Sequence, residues 1–380
     1  MGILWSSAAS IVTGRPVRTM REFRLPGGQR ESCTGELIEE NVYQMNLKRG
    51  KTEFETRFRG NTSPLVNIKD NFSIVGFLCS GAWGSVYKVT NLNDRTKCAL
   101  KVMKKECFRG DRTPLKKVVI NEKRLQWALV NQFCVPLFSA YQDSENLYLV
   151  MEFAKYGELE RFCRTPNTMS ENTIRIIVGQ IILGLEYLHF CGVIYRDLKP
   201  ENILVFRDGY LKLGDFGLAR PLKGRATTFA GTPEFMAPEM QGPRSSYGLE
   251  VDYWALGIVM YQLFYFDHPF SDGSRSRDQL FRNIKERALT FPGVRENEAL
   301  RPRDEFLKGL LDKDPRRRLG IHGGDLKKHE YFDGFSFFKL QRKQIKIKVL
   351  MGPVRCEPVA GHEFLPEPGR RQSMNYFDSF

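Results

Sequence analysis

Long apolar runs are missing from this chain: nothing reaches the roughly 18 consecutive apolar residues that a membrane-spanning helix needs. Paired cysteines are missing too. The eight cysteines are scattered, without CxxC spacing or the dense frame of a small secreted domain, and read as reduced thiols of the cytosol or nucleus. Zinc-finger spacing and RNA-binding aromatic motifs are also absent. The net charge of +14 is therefore read as solvated surface, not as a nucleic-acid footprint. No secretory signal is expected, because Arg15, Arg18, Arg21 and Arg24 follow the first apolar run instead of preceding it. What is present is 380 residues, 42% of them apolar. That suffices for a substantial core, in two domains or in one two-lobed unit with extensions.

The stretch Tyr195-Arg196-Asp197-Leu198-Lys199-Pro200-Glu201-Asn202 carries the most chemistry. Before it, Ile174, Ile177, Ile181, Leu185 and Leu188 recur at helical spacing and predict a helix over 171–191. After it comes a short apolar run, Ile203 to Phe206. The octapeptide offers a carboxylate (Asp197), an ammonium (Lys199) and an amide able to ligate metal (Asn202). Phosphoryl transfer needs that set: a base to orient the attacking hydroxyl, a cation to neutralise moving charge, and an oxygen ligand for Mg²⁺. Taken alone, an ordinary polar loop explains it too.

Upstream, the pattern turns to strands at Phe72, with β-rich runs over 72–78, 85–92 and 97–103. Between the first two lies Cys79-Ser80-Gly81-Ala82-Trp83-Gly84, whose glycines let backbone approach phosphate. Ala99 and Lys101 fall on one face of an alternating strand. A helix over 114–130 carries Glu122, and two more strands are expected at 135–141 and 147–153. Residues 1–71, rich in Arg, Gly and Ser and interrupted by Gly and Pro, read as an N-terminal extension. Met1-Gly2-Ile3-Leu4-Trp5-Ser6 fits the pattern for N-myristoylation of Gly2, with the four arginines as a second, electrostatic signal. A chance match is the preferred reading, because the motif is short and Trp5 is bulky.

With its neighbours, the octapeptide resembles the catalytic loop of protein kinases, with Tyr195 where most members carry His, as in the AGC group. Leu78, Cys79, Ser80, Gly81, Ala82, Trp83, Gly84, Ser85 and Val86 resemble the nucleotide loop, but Cys79 replaces its first glycine. Cys98-Ala99-Leu100-Lys101, Asn121-Glu122-Lys123-Arg124 and Asp215-Phe216-Gly217 resemble further family motifs. So do Gly231-Thr232-Pro233-Glu234-Phe235-Met236-Ala237-Pro238-Glu239, Asp252 with Trp254, and Asp314-Pro315-Arg316-Arg317-Arg318-Leu319-Gly320. All stand in family order from Phe72 to about Phe332. The resemblance implies an α+β, bilobal kinase fold. A small antiparallel β lobe with a regulatory helix (72–152) would precede a large, mainly helical lobe (158–332) and an AGC-type tail (333–380). That tail closes on Tyr376-Phe377-Asp378-Ser379-Phe380.

By the same resemblance, ATP and Mg²⁺ are the cofactors. Asp197 is the base, Lys199 steadies the moving phosphoryl, and Asn202 and Asp215 ligate metal. Lys101, held by Glu122, positions phosphates; Phe216 packs under the regulatory helix and Gly217 lets the backbone turn. Ala99 and the gatekeeper Met151 wall the adenine slot, with Glu152 and Ala154 on the hinge. Glu158 and Glu201 would hold arginines upstream of the acceptor; Gln262 replaces a further glutamate of cyclic-nucleotide-dependent kinases. Thr232 beside Lys199 marks Ser/Thr acceptors. Glu239 and Arg318 would form a buried ion pair, and Asp252 would brace the catalytic loop. Thr228 would be the activation-loop phosphosite, received by Arg196 and Arg220, with Val118 in place of the usual histidine on the regulatory helix. His189 reads as structural. The expected activity is basophilic Ser/Thr protein kinase; the alternative is a pseudokinase scaffold, which only Cys79 favours. Expected partners are protein substrates with basic residues upstream, an activating kinase, and membrane contact through the N-terminus, with no nucleic acid. The expected location is cytoplasmic, or else nuclear or membrane-associated.

Overall fold

In a computed structural model, the residues described are 35–59, 71–81, 84–108, 113–164, 169–242, 245–273, 276–293, 299–321, 325–347 and 352–358. Gly2, Arg15, Arg18, Arg21, Arg24, Ala82, Trp83 and the closing Tyr376–Phe380 lie outside them.

Five strands form the small-lobe sheet: β1 (Phe72–Gly81), β2 (Gly84–Asn91), β3 (Lys97–Lys104), β4 (Leu137–Gln142) and β5 (Asn146–Glu152). Their order is β1-β2-β3-β5-β4 and every pairing is antiparallel. Period-2 alternation gives β3 two buried faces. Cys98 and Leu100 pack with Tyr87, Val89, Tyr148 and Val150. Met103 instead joins Val119, Leu147 and Leu149 on the side of the regulatory helix, α2 (Thr113–Ala128).

The large lobe is built around α4 (Glu171–Phe190) and α5 (Glu250–Tyr265), which pack on each other. (The short α3 is Glu160–Cys163.) The Ser170 hydroxyl caps α4 by accepting from the Thr173 amide. Ile174, Ile177, Ile181, Leu185 and Leu188 are all buried. By length and composition alone α4 is apolar enough to cross a membrane, contrary to the expectation from run length. However, 72% of its apolar window is buried inside the protein, so it is a core helix. The remaining large-lobe helices include α6 (Arg277–Glu286) and α7 (Pro302–Leu310).

Residues 1–71 are not simply an extension. They contain a 25-residue helix, α1 (Gly35–Arg59), and its Tyr43, Leu47 and Phe54 belong to the same hydrophobic core as α4. The Tyr43 hydroxyl donates to Glu186. Near its end, Arg57 donates to the Trp127 carbonyl at 3.3 Å, and Arg124 donates to the Phe58 carbonyl at 2.9 Å. The helix thus reaches from α4 to the regulatory helix. Its few apolar contacts are diluted by charge, which is why the sequence pattern is weak.

The tail also crosses between lobes. The Val354 amide donates to the Lys155 carbonyl at 2.9 Å, and Phe77 of β1 exchanges two 2.9 Å backbone bonds with Glu357. This edge pairing covers part of β1.

Candidate active site

The octapeptide lies between β6 (Val193–Ile194) and β7 (Ile203–Val205). Arg196 takes a left-handed φ of 68°, a conformation that costs a non-glycine residue about 1–3 kcal/mol. Asp252, fully buried in α5, holds it there. Its carboxylate accepts the Tyr195 amide at 3.0 Å and the Arg196 amide at 2.8 Å. His189 bonds the same carboxylate at 2.7 Å and the Tyr253 hydroxyl at 3.1 Å, so both its nitrogens are engaged structurally. Tyr195 is buried, donates to the Gly214 carbonyl and meets the Phe216 ring edge-on at 5.6 Å.

On this braced loop Asp197 sits in a tight polar cluster. One carboxylate oxygen accepts the Thr232 hydroxyl at 2.8 Å; the other accepts the Asn202 amide at 2.7 Å and lies 3.2 Å from the Lys199 ammonium. Lys199 donates to the Thr232 hydroxyl at 2.8 Å. One hydroxyl therefore already rests between a carboxylate and an ammonium. Asn202 spends its NH₂ on Asp197, through the side chain and, at 2.8 Å, the carbonyl. Its oxygen is the atom left for a metal.

At the nucleotide end, Lys101 donates to Glu122 at 2.6 Å and stands 3.9 Å from Asp215. Burial alone would lower the Lys101 ammonium, but Glu122 and then Asp215 outweigh it and hold it above its ordinary value. Burial also pushes the Glu122 carboxyl up against the pull of Lys101; the direction that stands is that of Lys101, which is drawn by two carboxylates. Asp215 itself has φ 43° and accepts the Gly217 amide at 3.0 Å. Gly217 is needed for space and not for an unusual turn. A Cβ there would lie 3.0 Å from the Asp215 carboxylate and 3.6 Å from that of Glu122.

Gly84 is likewise a steric requirement: a Cβ would come within 2.1 Å of the Val102 carbonyl of β3. Cys79 pairs with Val86 across the hairpin, and Val86 with Lys101. Leu78 is half-buried, Gly81 is exposed, and the Ser80 and Ser85 hydroxyls meet at 3.0 Å. Cys79 is exposed at the strand surface, yet partial desolvation by its neighbours and then the Glu158 charge raise its thiol, so little of it is thiolate. Ala99 pairs with Met151, and Met151 packs with Val135, Ala154, Phe206 and Leu204 in an apolar cluster beside the hinge. Glu152 is tied to Lys212 by an ion pair, and the Ala154 carbonyl accepts the Gly157 amide at 3.2 Å.

At the opposite end, burial and then the nearby Glu201 push the Glu158 carboxyl up. One Glu201 carboxylate oxygen and the Gln262 side-chain oxygen are buried acceptors without a protein donor. Such orphans call for a donor from outside. In the activation segment, Arg196 donates to the Thr228 hydroxyl at 2.9 Å and to the Leu218 carbonyl at 2.8 Å. The Arg220 Nε is buried without an acceptor; burial and then Arg196 depress its guanidinium. Further along, Arg318 grips Glu239 with two bonds of 2.5 and 2.9 Å and lies 5.2 Å over Trp254.

Two contacts carry no motif and escaped the sequence reading. Ala226 and Tyr247 exchange backbone bonds of 2.7 and 3.0 Å, and the Tyr247 hydroxyl donates to the Thr228 carbonyl at 2.5 Å. His268 accepts the Phe270 amide on Nδ1 at 3.2 Å, so its Nε2 carries the proton it donates to the Glu234 carbonyl at 2.7 Å. Each is a lone residue whose partner is set only by tertiary packing.

Comparison with known proteins fits this geometry. The family model described as "Protein kinase domain" matches residues 72–332. A "cAMP-dependent protein kinase, catalytic subunit-like" of Caenorhabditis briggsae is 35% identical over 62% of this chain and 60% of its own length. A probable serine/threonine-protein kinase of Dictyostelium discoideum is 36% identical over 72% of the chain and 59% of its own length. Mouse "cGMP-dependent protein kinase 2" is 33% identical over 78% of the chain and 38% of its own length. The chain thus spans 60% or less of these relatives.

Proposed function

The chain belongs to the protein kinase family, and on that premise we propose that it transfers the γ-phosphoryl of MgATP to Ser and Thr hydroxyls of proteins. The observation that carries the reading is the Thr232 hydroxyl held between Asp197 and Lys199, both at 2.8 Å. A substrate hydroxyl entering beside it finds the same two groups. Asp197 orients that hydroxyl and accepts its proton as the oxygen bonds to the γ-phosphorus. The bond to ADP breaks, and Lys199 offsets the charge on the phosphoryl oxygens. Lys101, fixed by Glu122, holds the nucleotide phosphates.

The site fits Mg²⁺. Asn202 has its side-chain oxygen free beside Asp197, and an Asp215 carboxylate oxygen stands 3.9 Å from Lys101. No group of three or more His, Cys, Asp or Glu able to hold a metal occurs among the described residues. Two protein oxygens, with phosphate and water completing the shell, are the usual arrangement for Mg²⁺. The metal would shield the phosphate charge.

Substrates with arginine three residues before the acceptor fit the Glu158–Glu201 end, where a guanidinium supplies donors to the orphaned oxygen. Gln262 is uncharged, so arginine two residues before the acceptor is demanded less. Thr228 is the proposed phosphosite, because a phosphate there would meet Arg196 and the unsatisfied Arg220, and an upstream kinase would supply it. The seven described cysteines are free thiols, which supports a cytoplasmic or nuclear setting, with Gly2 as a proposed membrane anchor.

The test is single-turnover transfer from MgATP to a peptide with upstream arginine, comparing wild type with Asp197→Ala and Lys101→Ala. Loss of transfer in both is expected. Near-normal turnover in either overturns the assignment, and a wild type that binds MgATP without transfer makes the chain a scaffold.

A further inference from the structure

Beyond the residues already given roles, the outer side of the activation segment carries an aromatic platform with a cation on it. Phe229, next to Thr228, is 46% exposed. Its ring meets that of Phe281 of α6 edge-on, with centroids 6.1 Å apart. The Arg277 guanidinium lies 4.4 Å from the Phe229 centroid and 5.1 Å from that of Phe281. Arg277 is exposed, and among the described residues it forms no ion pair. A guanidinium resting on two rings keeps its charge and most of its donors while giving up rotamer freedom in advance. That is what a recognition residue needs, since ordering on binding then costs little.

Its distance from the chemistry is bounded by the chain. Phe229 precedes Thr232 by three residues, so their Cα atoms lie at most ~10 Å apart, and the guanidinium sits 4.4 Å from the Phe229 ring centroid. The turn that follows Thr232, Pro233–Phe235, packs on α6. An extended substrate covers the same reach in three or four residues. One end of that substrate meets the carboxylates of Glu158 and Glu201, so an acidic residue is repelled there. A substrate continuing past Thr232 toward Phe229 and α6 would meet Arg277, the cation seated on both rings.

We infer that Arg277, seated on Phe229 and Phe281, selects protein substrates with an acidic residue three or four positions after the acceptor. The inference rests on the kinase reading and on upstream arginines entering the Glu158–Glu201 end. Together the two ends define a bipolar substrate, basic before the acceptor and acidic after it.

The experiment uses full-length chain and peptides sharing the upstream arginine, with Asp, Ala or Lys at the third and fourth positions after the acceptor. kcat/KM is measured for wild type, Arg277→Ala and Arg277→Glu. Wild type should favour Asp over Ala about two- to fivefold, the range for one solvent-exposed ion pair. The preference should shrink in ~0.5 M salt. Arg277→Ala should level the series, and Arg277→Glu should invert it so that Lys exceeds Asp. An indifferent wild type, or an order unchanged in Arg277→Glu, overturns the inference while leaving the kinase reading intact. Absence of transfer to every peptide by wild type overturns the kinase reading and the inference with it.

Discussion

Replacing Thr232 by Val removes one hydroxyl and changes the side-chain shape little. The hydroxyl makes two bonds to charged partners, donating to Asp197 and accepting from Lys199, each at 2.8 Å. A hydrogen bond to a charged group contributes about 1.5–3 kcal/mol, so losing both in full would cost twice that. It does not come to that, because Asp197 keeps Asn202 at 2.7 Å and Lys199 at 3.2 Å. The Lys199 side chain also retains 21% of its exposure, so water replaces part of what is lost. One bond's worth, about 1.5–3 kcal/mol, is the expected rise in the barrier, or a fall in kcat of about 10- to 150-fold. The KM for ATP should hold, since Thr232 touches neither Lys101 nor Asp215. Thr232→Ser, which keeps the hydroxyl, should recover most of the rate. Steady-state kinetics on the three proteins decides it. If Thr232→Val stays within threefold of wild type, or loses only ATP affinity, the bridging hydroxyl has no part in aligning Asp197 and Lys199.

The Glu239–Arg318 pair is buried, with the arginine side chain 0% and the glutamate 11% exposed. Glu239→Ala should therefore destabilise by about 3–5 kcal/mol, seen as a clear drop in Tm. A shift of only a degree or two would mean the guanidinium finds other partners. Glu158 titrates above the ordinary carboxylate range because of burial and then Glu201. As pH falls through that raised pKa the charge is lost, so KM for an upstream-arginine peptide should climb while KM for its alanine counterpart stays level; parallel curves refute the assignment. Phosphate on Thr228 should raise kcat about tenfold, what one added bond to a charged group is worth, by giving Arg196 and the unsatisfied Arg220 an anionic acceptor. Site mapping with kinetics of Thr228→Ala tests this, and an unchanged rate in a chain shown to be phosphorylated there would place the switch elsewhere.

The catalytic cluster was readable because its chemistry is local. Asp197, Lys199 and Asn202 lie on one loop whose resemblance to a family motif named their roles, while Asp252 and Thr232, from outside it, hold them in place. Lys101, Glu122 and Asp215 come from three separate elements, and the strand alternation of β3 together with family order placed them. What the sequence hid depends on tertiary partners. Gly84 answers to the Val102 carbonyl on the next strand, and nothing in the loop sequence says so. His268 looks like any surface histidine until folding puts the Glu234 carbonyl and the Phe270 amide on its two nitrogens. The tail's pairing with Phe77 uses only backbone groups, and backbone bonds leave no mark on side-chain pattern.

The unit of resemblance and the unit of folding do not coincide. The family match begins at Phe72, yet Tyr43, Leu47 and Phe54 of α1 are buried in the core around α4. Fully burying a large apolar side chain contributes about 1.5–3 kcal/mol, so these three together supply roughly 5–9 kcal/mol on that scale. The net stability of a folded protein is about 5–15 kcal/mol. A fragment beginning at Phe72 would keep every group that touches substrate, yet it would bare the α4 surface at Tyr187, where Gly50 now packs. Such a fragment would be short of solubility before it was short of chemistry. The inherited boundary marks where sequence stayed recognisable; the physical one lies upstream, inside a helix whose composition gives no hint of it.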